Sequence, residues 1–297
     1  MNKLTQSMIQ HARAIAVDIG AKSLMFDAEA FDSSEELQKL LVELDHHVVL
    51  INRGGVPLDI PLSSTVSRIV IPKVPLTRLG QIKIAVLLGV AEKLFERNDW
   101  IVCLSGSQVS DRLDMMAVVK VGDEPEVFLT NETSPLPPDV QPAVFQRVLA
   151  IVSELAVEGR EHRPVGALFV VGDSDNVLEN SRQLIFNPFH GYPEDERNIL
   201  SGALEETIKE FAAIDGAFVI RGDGVVLSAG RYLMAKGKPA EPLRSGLGAR
   251  HEAAAAITAV TDAVAITLSE STSTITIFNS GRMMTEIEKI KSGGPDL

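Results

Sequence analysis

The sequence predicts an α/β protein of two domains. Over the first 130 residues, short β-branched runs alternate with longer runs of helical periodicity, and this order predicts a mostly parallel sheet joined by crossover helices. A proline-rich stretch follows, and strand-like and helical runs resume after it, so a second α/β domain is expected there. At 297 residues the chain has room for two domains of ordinary size.

Three strand-like runs and one helical run define the first domain, residues 1–130. The runs HHVVLIN (46–52) and SRIVIP (67–72) are short, β-branched and closed by RGG or by proline. Residues 79–99 have helical periodicity, and the apolar run WIVCLSG follows as a further buried strand. The turn LSGSQVSD (104–111) is interpreted as a strand-to-helix connection, with a small anion site as the alternative, because it offers a glycine and several hydroxyls.

The domain boundary is predicted in NETSPLPPDVQP (131–142). Four prolines in twelve residues cannot form a helix core or the interior of a sheet, so this stretch is a linker. Residues 143–285 form the second domain, and 286–297 form a tail that begins as a polar helix. The helical faces expected in the second domain are Val144, Val148, Ile151 and Leu155, and Leu200, Leu204, Ile208 and Phe211.

Several further strands are expected in the second domain. A buried strand over 165–173 ends in GDSDN, which is interpreted as a solvated turn because it lacks the ligand spacing of a calcium loop. Two strand-like runs flank GDG (222–224), and Asp-Gly is the strongest short hairpin signal. A helix is predicted from about Ala249, followed by strands over 263–268 and 274–278.

Composition and charge exclude several classes of protein. No apolar run approaches the roughly 18 residues that a membrane helix requires, and the N-terminus lacks the features of a secretion signal. The single cysteine, Cys103, lies in an apolar run, so a buried thiol and a cytoplasmic location are expected. A net charge of −12 argues against a nucleic-acid surface. Between Asp215 and His251, however, six cations stand against three anions, and such a positive region suits a small anionic ligand.

The run SGLGARHEAAAAIT (245–258) is the main candidate site. Arg250 and His251 occupy the first turn of an alanine-rich helix, where the helix dipole disfavours cations, so a negative partner is expected in front of them. Gly246 and Gly248 would allow close approach of the backbone to phosphate oxygens. The alternative is an exposed first turn that happens to carry Arg and His.

Asp215 is the second candidate. It stands between apolar segments, where an uncompensated charge is costly, and Gly216 and Ala217 keep the corner small. A carboxylate there could accept a proton from a sugar hydroxyl or hold a divalent cation, whereas the alternative is a simple turn cap. The polar run LSESTSTI (268–275), with Glu270, is a third candidate or a plain polar hairpin.

These elements, in this order, resemble the diadenylate cyclase (DAC) domain. The residues that carry the resemblance are DGAFVIR, RYL, GLGARHEAA, VTDAVAITLSES and TITIFNSG, and the likeness covers about 141–285, roughly half of the chain. It implies a mixed central sheet flanked by helices. It also implies that two ATP molecules are condensed into cyclic di-AMP with release of two pyrophosphates, using Mg²⁺ or Mn²⁺.

The resemblance implies roles for individual residues. Asp215 and Gly216 would serve the attacking 3′-hydroxyl, Arg250 and His251 would hold the triphosphate, and Asp215 and His251 would be the metal ligands. Leu233 would contact the adenine, and Ser269 with Glu270 the sugar and phosphate edge. The nucleotide-binding set implied in this way is Ala217, Leu233, Gly248, Ala249, Ser269 and Glu270.

Two positions depart from the family pattern. The family commonly reads Gly-Thr-Arg-His-Arg, whereas this chain has Ala249 and Glu252 at the first and last variable places. A phosphate donor is lost and a negative charge is gained, which implies slower turnover unless Arg231 and Arg244 compensate. The alternative function is a non-catalytic protein that senses ATP or cyclic di-AMP.

The assembly follows from the reaction. Each ATP must present its 3′-oxygen in line with the α-phosphate of the other, and one small domain has a single cradle. Two such domains must therefore face each other, which predicts a homo-oligomer of at least two chains. The first domain resembles a pyruvate kinase C-terminal-type domain placed ahead of a cyclase domain in a soluble branch of the family. A metabolic module related to pyruvate kinase is a third interpretation, but it does not explain why the Asp215 and Arg250 elements occur together.

Overall fold

The structure, a computed structural model, has two compact units that divide between Thr133 and Ser134. The residues that it describes are 2–31, 33–54, 60–61, 63–107, 112–123, 136–161, 163–239 and 247–288. Each unit has its own sheet and helices, so the predicted α/β class is confirmed. No helix in these ranges combines the length and the apolar character needed to cross a membrane.

The first unit is built on a five-stranded sheet in the order β3-β2-β1-β4-β5. Its strands are β1 Ser23–Asp27, β2 His47–Arg53, β3 Val66–Ile71, β4 Trp100–Ser107 and β5 Arg112–Lys120. Neighbouring strands among β1 to β4 are parallel, as the sequence predicts, and β5 is antiparallel to β4. The predicted strand-to-helix connection after β4 is therefore wrong. β5 is an edge strand with one half-exposed face, which gives it no clear alternation.

In the described part of this unit, three α-helices accompany the sheet. They are α1 Lys3–Ile19, α2 Ser34–Glu43 and α3 Arg78–Ala91. α3 begins where the Thr77 hydroxyl accepts a hydrogen bond from the Gly80 amide at 3.0 Å. It ends eight residues before the predicted end at 99, because Lys93 and Asn98 have φ of 60° and 71°, which no α-helix accommodates.

The second unit has a seven-stranded sheet in the order β12-β11-β10-β6-β8-β9-β7. Its strands are β6 Ala167–Val171, β7 Ser181–Gln183, β8 Ala217–Ile220, β9 Val226–Leu233, β10 Val264–Leu268, β11 Ile275–Asn279 and β12 Arg282–Ile287. β6 and β8 are parallel and the other neighbours are antiparallel, so the sheet is mixed. The helices are α4 Pro142–Glu158, α5 Ser174–Glu179, α6 Glu205–Phe211 and α7 Ala249–Thr258.

Most elements of this unit lie where the sequence predicts them, but β7 is not predicted and three other segments differ from the prediction. The GDSDN segment, predicted as a turn, contains the start of α5. The Asp173 carboxylate fixes this start, because it accepts hydrogen bonds from the Asn176 side-chain amide at 2.7 Å and from the Asp262 backbone amide at 2.8 Å. Leu200 is 44% exposed, since the α-helix starts only at Glu205. The segment predicted as a polar helix after 285 is the end of β12 as far as Ile287, and 289–297 lie outside the described residues.

Ion pairs join α4 to α6. The Lys209 ammonium is buried and contacts the Glu154 carboxylate and, at 2.9 Å, that of Glu205. Arg147 also contacts Glu205, at 2.6 Å. The hydrogen bond from Lys209 lowers the pKa of Glu205 to about 2. These contacts anchor the helix that leads into the corner before β8.

Candidate active site

The corner before β8 presents Asp215. Gly216 has φ of 108°, and a Cβ atom there would lie 2.6 Å from the carbonyl carbon of Gly230 on β9, so only glycine permits this close approach. The Asp215 side chain is 91% exposed. The argument from the cost of a buried charge is therefore wrong, because water surrounds this carboxylate.

Arg250 brings three of the predicted residues together. From the first turn of α7, its Nη2 donates to Asp215 Oδ1 at 3.3 Å, and its Nη1 lies 3.6 Å from Glu270 Oε2. Asp215 precedes β8 and Glu270 follows β10, so three separate elements converge on one guanidinium. The negative partner expected in front of this helix exists within the chain itself. Because Asp215 and Glu270 are well exposed, these ion pairs stabilise the fold by only about 0–1 kcal/mol.

Gly166, just before β6, also belongs to this site. A Cβ atom at this position would lie 2.4 Å from Arg250 Nη1 and 3.2 Å from the Glu270 Cβ. The guanidinium therefore rests against backbone that has no side chain. Sequence reasoning missed Gly166, since a single glycine before a strand is weak evidence for anything beyond a turn.

Among the described residues, no side chain caps the N-terminus of α7. Gly248 is the N-cap and offers no side-chain acceptor, and a Cβ atom added to it would meet nothing within 4 Å. Amide groups at an uncapped helix start are available to an anion. Ala249 and Glu252 are both exposed in the first turn. Gly246 and Arg244, which the sequence analysis also considered, lie outside the described residues.

His251 packs against the sheet. It is 5% exposed, its Nε2 lies 3.3 Å from the Thr276 hydroxyl on β11, and its ring meets that of Phe278 edge-on at 6.1 Å. Burial lowers the pKa of His251, and the neighbouring Arg250 lowers it further. This geometry does not support a metal site shared by His251 and Asp215. Within the described ranges no three His, Cys, Asp or Glu side chains form a metal-binding group.

The remaining predicted residues are spread over the sheet and its turns. Ala217 is buried at the start of β8, opposite Arg231, and Leu233 is half-buried at the end of β9, against the core. The Ser269 hydroxyl accepts a hydrogen bond from the Thr272 amide at 3.3 Å and so shapes the turn that carries Glu270. None of these three side chains contacts Arg250 in a hydrogen bond or an ion pair that the described residues show.

Arg231 is not free to replace a missing phosphate donor. Its guanidinium donates to the Ser181 hydroxyl at 2.8 Å, to the Leu178 carbonyl at 3.1 Å and to Gln183 at 3.2 Å. Burial lowers its pKa. Arg231 therefore fastens β7 to β9, and the suggestion that it compensates for Ala249 and Glu252 is wrong.

An exposed apolar patch borders the Asp215 corner, and the sequence analysis did not detect it. Phe186 is 100% exposed, and Leu184, Ile185 and Ile214 are each more than one-third exposed. A Cβ atom on Gly230 would lie 2.5 Å from the Ile185 side chain, and Gly230 in turn contacts Gly216. The patch, defined as Leu184, Ile185, Phe186 and Ile214, thus adjoins the corner that holds Asp215.

Comparison with known proteins places these features in a family. Residues 154–283 match the family model described as DisA bacterial checkpoint controller nucleotide-binding, and residues 4–130 match one described as a probable sensor domain, DacZ_P. The family model that matches the first unit is thus described as a probable sensor domain, and the likeness of this unit to a pyruvate kinase C-terminal-type domain stays a prediction. A solved structure of DacA from Staphylococcus aureus is similar over 47% of this chain and 83% of its own, with 23% identity and a TM-score of 0.31.

Two relatives extend the match. A diadenylate cyclase of Methanocaldococcus jannaschii is 30% identical over 304 residues, covering 96% of this chain and 97% of the relative. A diadenylate cyclase of Haloferax volcanii is 36% identical over 216 residues, covering 70% of this chain and 75% of the relative. With the DAC-type match over the unit that carries Asp215 and Arg250, these comparisons show that the chain belongs to the diadenylate cyclase family.

Proposed function

We propose that this chain is a nucleotidyltransferase that condenses two ATP molecules into cyclic di-3′,5′-AMP with release of two pyrophosphates. One observation carries the proposal: Arg250, at an uncapped helix start, lies between the exposed carboxylates of Asp215 and Glu270. This arrangement offers donors for phosphate oxygens beside an acceptor for a hydroxyl proton. A diadenylate cyclase relative that spans nearly the whole chain supports the same reaction.

Each side chain at the site would have a role in the reaction that follows from its chemistry. Arg250 and the amides of the α7 N-terminus would bind the triphosphate, because guanidinium and amide groups donate to phosphate oxygens. Asp215 would orient the 3′-hydroxyl and accept its proton as the 3′-oxygen bonds to the α-phosphorus of the other ATP. The bond from that phosphorus to the bridging oxygen then breaks, and pyrophosphate leaves with the electron pair. His251, which contacts Thr276 and Phe278, would hold α7 against β11.

Two of the side chains at this site, but not His251, suit a divalent cation such as Mg²⁺ or Mn²⁺. Asp215 is a well-exposed carboxylate, and Mg²⁺ is often held by one or two carboxylates together with substrate phosphates. When bound, the ion would neutralise charge on the departing pyrophosphate. Glu270 offers the second exposed carboxylate. His251, whose imidazole contacts Thr276, does not fit as its ligand.

The reaction would require two copies of the chain. One Asp215 corner and one α7 N-terminus can hold one ATP, so the second ATP must come on a facing unit. The apolar patch supports this arrangement, because exposed apolar clusters beside a site mark protein–protein contacts and Phe186 is entirely exposed. A homo-oligomer with the patches in contact would bring two Asp215 corners near each other.

The test compares Asp215→Asn with Asp195→Asn, an exposed carboxylate in the loop before α6. The purified proteins are incubated with ATP and Mn²⁺, and cyclic di-AMP is measured by mass spectrometry. Loss of a general base lowers the rate by about 10²–10⁴-fold. We therefore expect Asp215→Asn to lose product in this range while it still binds ATP, and Asp195→Asn to match the wild type. Equal product from both variants would contradict the role of Asp215.

The same assay addresses the alternative, a non-catalytic sensor of ATP or cyclic di-AMP. Glu252 favours this alternative, because it is exposed in the first turn of α7, where a bound triphosphate would meet its charge. A carboxylate at that position also stabilises the helix dipole, which gives Glu252 a structural reason to be there. Wild-type protein that binds ATP but forms no cyclic product would establish the sensor.

A further inference from the structure

The sheet of the first unit has a topological switch point between β1 and β4. The chain runs from β1 outward to β2 and β3, and α3 then returns it to the other side of β1, where β4 begins. In open α/β sheets, ligands bind in the crevice outside the carboxyl ends of the strands at such a point. Here β1 ends at Asp27, β2 at Arg53 and β4 at Ser107.

A crevice exists at this place. It is lined by charged side chains and by Gly106 near the end of β4, and its cavity volume is about 10 Å³. The β4–β5 pairing shifts register between Ser105 and Gly106, which sets Arg112 at the rim. A cavity of this size has room for about one water molecule, so the crevice suits a single oxygen of a small anion whose remaining atoms lie at its mouth.

The carboxylates in the crevice are already engaged. Asp27 accepts the Glu29 amide through Oδ1 at 2.9 Å and the Arg53 guanidinium through Oδ2 at 2.5 Å. Glu29 accepts the Arg53 amide through Oε1 at 3.3 Å and faces Arg53 Nη1 through Oε2 at 3.2 Å. All four carboxylate oxygens thus have partners within the protein.

Donors, by contrast, remain available. Arg53 is only 13% exposed, and its Nε is buried without a hydrogen-bond partner among the described residues. A buried donor without a partner destabilises the folded protein, so an acceptor supplied by a ligand would be favoured. Arg112 adds an exposed guanidinium at the rim, and Lys73 is near enough to act on the charge of Glu29. Arg53 and Arg112 therefore line the crevice beside two carboxylates that are already paired.

We propose that this crevice, the switch-point site, binds a small oxyanion. The ligand class is a metabolite with a carboxylate or phosphate group, held by Arg53 and Arg112. It is smaller than a nucleotide. This site lies in the unit that carries no cyclase residue, so the proposal does not depend on the proposed reaction.

Calorimetric titration of the full chain tests the site, with inorganic phosphate and malonate as probes and potassium chloride at equal ionic strength as the blank. Saturable binding of phosphate indicates a phosphate ligand, and saturable binding of malonate a carboxylate ligand. In either case Arg112→Gln should weaken binding at least tenfold. Arg53→Lys keeps a cation beside Asp27 but removes Nε, and it should weaken binding similarly. Arg13→Gln, an exposed arginine on α1, should change nothing.

Two results would overturn the proposal. One is the absence of saturable binding of both probes above the chloride blank. The other is binding that survives in Arg112→Gln and Arg53→Lys but is lost in Arg250→Gln, which would assign the anion to the second unit. Thermal melting of each variant without ligand checks that its fold is intact, and Arg112→Gln, at an exposed position, provides the decisive comparison if Arg53→Lys is unstable.

Discussion

Gly166→Ala tests whether the position of Arg250 governs the reaction. The new Cβ atom would lie 2.4 Å from Arg250 Nη1 and 2.8 Å from its Cζ, whereas ordinary contacts begin near 3.4 Å. The guanidinium must therefore retreat by about 1 Å, and a displacement of that size costs about 100-fold in rate. Stability should change little, because the group that moves is the end of a flexible side chain and its exposed ion pairs contribute only about 0–1 kcal/mol.

The assay measures kcat/KM for cyclic di-AMP formation together with the melting temperature. Gly202→Ala is the matched control, since a Cβ atom at Gly202 meets nothing within 4 Å. We expect Gly166→Ala to lose about 100-fold in kcat/KM and Gly202→Ala to lose none, with similar melting temperatures for both. Wild-type kcat/KM in Gly166→Ala would refute the idea that this glycine positions Arg250.

Three further predictions concern stability and assembly. Lys209→Met should destabilise the fold by about 3 kcal/mol in urea unfolding, because it removes the buried ammonium that Glu154 and Glu205 share and leaves Glu205 only its contact with Arg147, whereas the exposed Lys39→Met should have little effect. The pKa of Glu205 is lowered to about 2, so the stabilisation by its ion pair with Lys209 is fully present above pH 4.5. The difference in unfolding free energy between wild type and Lys209→Met should therefore narrow as the pH falls from 4.5 towards 2. Burial lowers the pKa of His251, so below pH 6.5 the unfolded chain binds a proton at this position more readily than the folded chain does. The unfolding free energy of the wild type should therefore fall more steeply with decreasing pH than that of His251→Gln. Equal slopes for the two proteins would contradict the lowered pKa. Phe186→Asp should abolish self-association, measured by analytical ultracentrifugation, and should abolish cyclic di-AMP formation with it. The control Val157→Asp, at an exposed position on α4, should leave both intact. A Phe186→Asp protein that still associates and forms product would show that the patch is not the contact between chains.

Local patterns in the sequence identified most of the strands and the start of α7. Buried β-branched runs such as 46–52 and the Asp-Gly hairpin around 222–224 are set by neighbouring residues, so periodicity and turn chemistry reveal them. β5 was missed because one face of this edge strand is half-exposed. α3 was predicted too long because nothing in its periodicity signals the positive φ of Lys93.

Some features of the candidate site could be predicted from the sequence, and others could not. Asp215 and Arg250 were found because their residue types at short-range landmarks indicate chemistry. Contacts between distant segments were not predictable: the guanidinium over Gly166 and the turn of His251 towards Thr276 depend on how the sheet is assembled. The exposed Phe186 carries no local signal, because a sequence does not show which apolar residues remain in water.

The pairing of Arg250 with Asp215 and Glu270 has a consequence for selectivity among anions. An anion that binds Arg250 must compete with the carboxylates of Asp215 and Glu270 for its guanidinium. A singly charged ion such as chloride attracts the guanidinium no more strongly than one of these carboxylates does, so it would displace them poorly. A polyphosphate chain, with several charges close together, can occupy the guanidinium and the helix amides at the same time. The site would therefore discriminate by valence, favouring a nucleoside triphosphate over its monophosphate before any contact with the base is made.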